Sequence, residues 1–213
     1  MNESYIQTYV DLDGNVTNRT LYSQALIVLF AGIKFMFDRL LAIFGLIVAS
    51  PLMLIIAIAI KLDSKGHVLF KQERTGKGGN NFYIYKFRTM VEHNDVHDFS
   101  KSDEHTRVGK FLRKTSLDEL PQLINVLFGQ MSVIGNRPYL PREKEDMGEY
   151  FDDILKTKPG LTGYWQVSGR SNTTFNERLK LEKYYSDHCG LRMDIKIFFK
   201  TFYVVLLRKG ADK

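Results

Sequence analysis

Apolar and polar positions divide this chain unevenly. Residues 1–24 are polar, with a turn-prone Asp13-Gly14-Asn15, and no cationic start leads into an apolar core, so no secretory signal is expected there. An apolar run of nine residues follows, from Ala25 to Ile33. Lys34, Asp38 and Arg39 interrupt it, and 21 uncharged residues then extend from Leu40 to Ile60. At about 1.5 Å of rise per residue that run reaches ~31 Å, enough to cross the hydrocarbon of a bilayer. Ser50-Pro51 sits near its middle, where proline removes a donor and its ring clashes with the carbonyl of Ile47. The Ser50 hydroxyl can satisfy that carbonyl. Basic residues flank both ends, Lys34 and Arg39 before, Lys61, Lys65 and Lys71 after, so the one-sided charge of a spanning helix is missing. Two readings stand at this point: one spanning helix, or a helix-break-helix hairpin that enters and leaves by the same face.

Beyond Asp63-Ser64-Lys65-Gly66 the period changes. Val68-Leu69-Phe70 reads as a strand, Gly76-Lys77-Gly78-Gly79-Asn80-Asn81 as a turn, and Phe82 to Met90 as the returning strand. On that strand Phe82, Ile84, Lys86 and Arg88 share one face, with Tyr83, Tyr85 and Phe87 on the other. The glycine turn is not a Walker loop, because the pattern Gly-x-x-x-x-Gly-Lys-Ser/Thr is absent. Val91 to Asp103 is polar; its His93, Asp95, His97 and Asp98 have no flanking apolar periodicity, so no metal site is expected there. A helix is expected from Ser116 to Gly129. Met131 to Pro138 reads as a short strand and a turn presenting Arg137. Glu143 to Thr157 reads as an exposed charged helix, and Lys158-Pro159-Gly160-Leu161-Thr162-Gly163 as a break. Tyr164 to Arg170 reads as a loop. Phe175 to Ser186 reads as a helix exposing Glu177, Arg178, Lys180, Glu182 and Lys183. Met193 to Leu207 suits either an interfacial amphipathic helix or a buried one.

Composition narrows the classes. The 213 residues allow one sizeable domain with appendages, and 44% hydrophobic with 13% aromatic residues argues against disorder. A net charge of +6 suits nucleic acid, an anionic membrane surface or a phosphorylated substrate. The run from Leu40 speaks against nucleic acid. The single cysteine, Cys189, excludes an intramolecular disulfide and points to a reducing, cytosol-facing body.

The candidate chemistry gathers at Ser116-Leu117-Asp118-Glu119-Leu120-Pro121-Gln122. Arg107, Lys110, Arg113 and Lys114 crowd the approach to its two adjacent carboxylates. Ser116 with Glu119 makes a capping box, which alone explains both acids. The competing reading makes Asp118 a nucleophile towards phosphorus and Glu119 a magnesium ligand, with substrate phosphate oxygens completing the metal's shell. Guanidinium binds phosphate bidentately, so Arg88, Arg113, Arg137 and Arg170 are the clamp candidates. A non-catalytic membrane-surface phosphate or nucleotide binder would share the charge and the apolar anchor, but it gives no reason for cations to surround the acid pair.

An ordered set of motifs joins these parts: Asp38-Arg39, Ser50-Pro51, Tyr85-Lys86-Phe87-Arg88-Thr89-Met90, Ser116 to Gln122, Gly135-Asn136-Arg137-Pro138 and Lys158 to Gly163. Over roughly residues 34–210 it resembles the bacterial sugar transferase family, the monotopic phosphoglycosyl transferases that start glycan assembly on polyprenyl phosphate. The resemblance implies a re-entrant membrane helix broken at Ser50 and Pro51. It implies Asp118 as the nucleophile that takes a phosphosugar from a UDP-hexose and releases UMP. Glu119 would position Mg2+, and Lys86, Arg113, Arg137 and Arg170 would hold substrate phosphate. Three departures stand out: Asn136 for a usual proline, Leu181-Glu182 for a usual Leu-Asp, and His188-Cys189 for a usual Asn-Trp.

The expectation is therefore an α+β, membrane-associated fold. Residues 1–33 would form a polar segment and a short apolar helix, and 34–62 a re-entrant membrane helix. Residues 63–213 would form a mainly helical, cytosolic catalytic domain with a small β-hairpin and C-terminal interfacial amphipathic helices. The implied partners are UDP-hexose, polyprenyl phosphate and the bilayer of a bacterial inner membrane, with homo-oligomerisation left open.

Overall fold

The computed structural model describes residues 7–10, 16–19, 21–91, 105–169 and 173–206. Two compact units divide it, 1–37 and 38–213. In the first, β1 (Gln7–Val10) pairs antiparallel with β2 (Val16–Arg19), Val10 opposite Val16. Asp13-Gly14-Asn15, expected as a turn, lies outside the described residues between these strands.

Helix α1 (Leu21–Asp63) runs unbroken for 43 residues and joins the two apolar stretches that the hydropathy separates. Lys34 and Arg39 interrupt hydropathy without opposing helix, since long unbranched side chains lose little freedom there. The expected interruption at Ser50-Pro51 is also absent, because α1 continues through Pro51. The Ser50 hydroxyl donates to the Ile47 carbonyl at 2.8 Å and stands in for the amide that proline lacks. Val28–Asp63 is the one helix among the described residues that is long and apolar enough to cross a membrane. From Asp38 onward an inner stripe of Asp38, Ala42, Ile56 and Ile60 is buried, whereas Phe44, Ile47, Leu54, Ile55 and Leu62 are exposed. So broad an exposed apolar face marks a membrane-associated helix.

The second unit is built on β3 (Leu69–Thr75) and β4 (Asn81–Phe87), an antiparallel hairpin with Leu69 opposite Phe87. Ile84 packs with Ala42, Val126 and Met131, and Phe87 with Ile56, Ile60 and Leu112, so β4 touches α1 before and after Pro51. The expected alternation holds at Ile84, which is buried, and Tyr83, which is exposed. Phe87 departs from it, being buried where the strand ends. Asp38 accepts from the Val133 amide at 3.1 Å and fastens α1 to the domain.

An unexpected helix, α2 (Arg107–Thr115), follows, and its N-cap Thr106 accepts from the Gly109 amide at 2.9 Å. Asp63, the last residue of α1, accepts from the Val108 amide at 2.9 Å, so the end of one helix caps the start of the next. After a single 3-10 turn comes α3 (Gln122–Leu127), closed by Gly129 at φ 75°. Its Asn125 is fully buried: Oδ1 accepts from the Tyr85 amide at 3.1 Å, and Nδ2 donates to the Tyr83 carbonyl at 2.7 Å and to Gln130 at 2.8 Å.

Strand β5 (Ser132–Ile134) lies parallel to β6 (Gly160–Thr162), within the segment expected only as a break. A Cβ at Gly135 would strike the Lys158 carbonyl, and one at Gly160 the Gly135 amide, so the two backbones meet where no side chain fits. The single helix expected over Glu143–Thr157 is instead α4 (Lys144–Met147) and α5 (Tyr150–Ile154), separated by Gly148 at φ 51°. Tyr164–Ser168, read as loop, forms α6. Helix α7 (Phe175–His188) starts with a capping box of Thr174 and Glu177. Helix α8 (Leu191–Leu206) buries Ile197 and Val204 and exposes Leu191, Ile195, Phe199, Phe202 and Tyr203. It is thus apolar on its outer side as well as its inner one.

The Asn125→Ala substitution strands a strand amide and a strand carbonyl in the core. It should destabilise the protein by about 2–4 kcal/mol, read as a lower thermal midpoint in detergent with no change in α1 helicity.

Candidate active site

The acid pair occupies the 3-10 turn Leu117–Glu119 between α2 and α3, not the first turn of a long helix. The expected capping box does not form. Ser116 makes no side-chain cap and sits at φ 57°, the one non-glycine residue with positive φ among those described. It ends α2, its amide donating to the Arg113 carbonyl at 3.2 Å. A serine in this left-handed conformation costs on the order of 1–2 kcal/mol. The reversal it makes carries Asp118 and Glu119 directly off the end of the cationic helix.

Freed from capping, Glu119 takes Lys86 instead, Nζ to Oε1 at 2.7 Å. Lys86 belongs to β4, which Asn125 binds to α3, so strand and turn are held together on both sides of this ion pair. Asp118 is half-buried. Burial pushes its carboxyl up to about 6, and the Glu119 charge adds to that; Lys86 and Arg113 pull the other way. Arg113 Nη1 lies 2.8 Å from His105 Nε2. A guanidinium only donates, so His105 accepts there.

One further cation, carried on a strand where no motif marks it, reaches the site beside the expected Arg137. Arg74 on β3 is buried, with Nη1 donating to the Pro138 carbonyl at 3.2 Å and Nη2 to Gln72 at 2.6 Å. Burial and the neighbouring Arg137 charge lower it to about 10, and Glu143 and Glu119 oppose this. Arg137 lies over the Trp165 ring at 5.8 Å, and its amide donates to Glu182 Oε1 at 3.2 Å. Glu182, expected to be exposed, is fully buried. Burial pushes it up to about 7 against the Tyr139 hydroxyl and the Arg178 and Arg137 charges. Arg178, also expected to be exposed, stacks within 5.3 Å of the Tyr139, Trp165 and Phe175 rings. The signal for Glu182 was in the spacing. Leu179, Glu182 and Tyr185 fall three apart on the inner stripe of α7.

The structure therefore brings Lys86 and Arg113 to the acid pair and links Arg137 to it through Arg74. Arg88 is occupied elsewhere. Its guanidinium donates to the Lys65 carbonyl and, at 2.9 Å, to both the Ser64 carbonyl and hydroxyl, tying β4 to the end of α1. Arg170 and the His93–Asp98 segment lie outside the described residues.

A partly desolvated carboxylate, a second acid beside it and cations from several segments form an arrangement suited to phosphoryl chemistry. The model of one family, described as bacterial sugar transferase, matches residues 29–208. The chain belongs to the bacterial sugar transferase family. Within it, the exopolysaccharide production protein ExoY of Sinorhizobium fredii is 37% identical over 194 residues, 82% of this chain and 86% of that protein. The undecaprenyl-phosphate galactose phosphotransferase of Salmonella typhimurium is 42% identical over 198 residues, 84% of this chain and 41% of its own length. The UDP-glucose:undecaprenyl-phosphate glucose-1-phosphate transferase of Xanthomonas campestris is 40% identical over 187 residues, 82% and 39%. The chain thus spans well under half the length of the last two relatives.

For this family member, magnesium is tested by the donors present. Among the described residues no three acids, histidines or cysteines converge on one point, so an all-protein cage is excluded there. Magnesium held by one or two carboxylates plus substrate phosphate fits, because Glu119 keeps 42% of its side chain exposed beside Asp118.

Because burial holds the Asp118 proton above the ordinary carboxylate range, ionising it opposes folding. Its contribution is neutral below about pH 4 and becomes increasingly unfavourable up to about pH 6. The Asp118→Asn variant should therefore melt higher than the parent at pH 7.5, with the difference shrinking as pH falls to 4. An equal midpoint at pH 7.5 would remove the burial argument.

Proposed function

We propose that this protein transfers hexose 1-phosphate from a UDP-hexose to polyprenyl phosphate and releases UMP, as the first membrane step of polysaccharide or glycoconjugate assembly. The observation that carries the reading is Asp118, a partly desolvated carboxylate on a reversed turn with Glu119 beside it and the charges of Lys86 and Arg113 upon it. An Asp118 oxygen attacks the sugar-linked phosphorus. A P–O bond forms there as the bond to UMP breaks, and the electron pair leaves on the UMP phosphate. The acceptor's phosphate oxygen then attacks the same phosphorus, and the aspartyl bond breaks to restore the carboxylate. Arg113 and Lys86 hold Asp118 ionised and, with Arg137, meet the charge of the diphosphate. Glu119 would hold magnesium together with substrate phosphate oxygens, where it would neutralise charge on the phosphoryl group. The named substrates of the Salmonella and Xanthomonas relatives support the sugar phosphate and the lipid acceptor.

The membrane path we propose is re-entrant: α1 stays helical throughout but bends at Ser50-Pro51, where proline weakens the hydrogen-bond ladder, and the domain faces the cytosol at a bacterial inner membrane. The support is packing. Ala42 before Pro51 and Ile56 and Ile60 after it lie against one domain, although a helix crossing ~30 Å of hydrocarbon would carry one arm away from it.

Mixing detergent-solubilised protein with a panel of UDP-sugars and Mg2+, without lipid, should give a burst of one UMP per enzyme for the correct sugar. Asp118→Asn should give none, and a full burst from that variant would remove Asp118 as the nucleophile. The burst rate of the parent should fall with acidity through about pH 6, as the carboxylate takes up its proton. Tags at the two ends should become accessible on the same side of inverted membrane vesicles; accessibility on opposite sides would restore a simple spanning helix.

A further inference from the structure

Between the second half of α1 and α2 lies a groove of about 400 Å³. Leu52, Ile55 and Ala59 line one wall, Val108 and Phe111 the other, and Leu117 also lines it. Below it, Ile56 and Leu112 are buried in one core cluster, so the groove has a packed floor. The Asp63 cap on α2 fixes the angle between the walls.

Three observations say what belongs there. The lining is apolar except for one cation, Arg107, which stands on the α2 wall. Lys110, Arg113 and Lys114 follow on the same helix, so one edge of the groove carries positive charge. Leu117, which lines the groove, is the residue before Asp118, and Leu54 and Ile58 on the same arm of α1 are exposed and apolar. A nucleotide sugar has no apolar part to fill such a space. An anion carrying a long hydrocarbon tail fits both the lining and the edge.

Resting on the transferase reading above, we propose that this groove binds the first isoprenoid units of the polyprenyl phosphate acceptor. The tail runs out along α1 into the membrane, and the phosphate is delivered past Arg107 and Arg113 to the phosphorylated Asp118. The α1–α2 groove is then the acceptor's own binding site, separate from the surfaces that meet the UDP-sugar.

The test fills the groove and reads the two half-reactions apart. Ala59→Trp places an indole in it, Val108→Phe narrows it from the facing wall, and Leu62→Trp adds the same bulk to α1 outside it. In the full chain in nanodiscs, the two groove variants should keep the parent's UMP burst in the absence of lipid. They should raise KM for undecaprenyl phosphate about tenfold or more, the loss expected when a few buried methylene groups are displaced. Leu62→Trp should change neither. An unmoved acceptor KM in groove variants with a normal burst would show that the groove holds only a bilayer acyl chain, and it would overturn this assignment alone. A rise as large with Leu62→Trp would also overturn it. A parent chain that gives no burst with any UDP-sugar would remove the transferase reading, and the groove assignment with it.

Discussion

One buried amide holds the site together. Asn125 offers β4 an acceptor and a donor in the spacing of a neighbouring strand, pairing with the Tyr85 amide and the Tyr83 carbonyl. The two-stranded hairpin therefore gains a third partner without a third strand, and that partner is a helix. Lys86 follows Tyr85, and Glu119 precedes Asn125 by less than two helical turns. The amide closes 40 residues of sequence, and the Lys86–Glu119 ion pair forms within that closure. Such an exposed-edge pair contributes little stability alone. Its position is a consequence of the buried hydrogen bonds rather than their cause.

Desolvation then shapes the charges in both directions. It raises Asp118 and Glu182 and lowers Arg74, so acids and bases alike sit nearer to neutrality than they would in water. Each is countered by opposite charge close by: Lys86 and Arg113 at Asp118, Arg178 and Arg137 at Glu182, Glu143 and Glu119 at Arg74. The arrangement is two linked clusters. One carries Asp118. The other, with Arg178 among three aromatic rings, sets the backbone of Arg137 through Glu182.

The amino-acid sequence made the hairpin, the apolar helix and the acid pair legible, because period, length and adjacent carboxylates are local signals. It misled where a local motif had a stronger distant competitor. Ser116 and Glu119 spell a capping box, but Lys86 is 33 residues away and takes the glutamate. Arg88 reads as a phosphate clamp from its strand face, although the carbonyls at the end of α1 claim it. Glu182 and Arg178 look like surface charges until the α7 stripe is set against Tyr139 and Trp165. Arg74 had no motif to mark it. Short elements were also lost: β6 pairs in parallel across 28 residues, a contact without local trace.

The glycine seam between β5 and β6 bears on how such a protein can diversify. Gly135 and Gly160 interlock backbone to backbone, and a Cβ at Gly163 would meet the Gly135 carbonyl. A side chain at any of these three positions would meet backbone, so the spacing between the Arg137 turn and α6 forms a fixed frame. Change in this region has to enter through side chains hung on that frame, such as those around Trp165. Those side chains can then vary while the Arg137 backbone stays where it was.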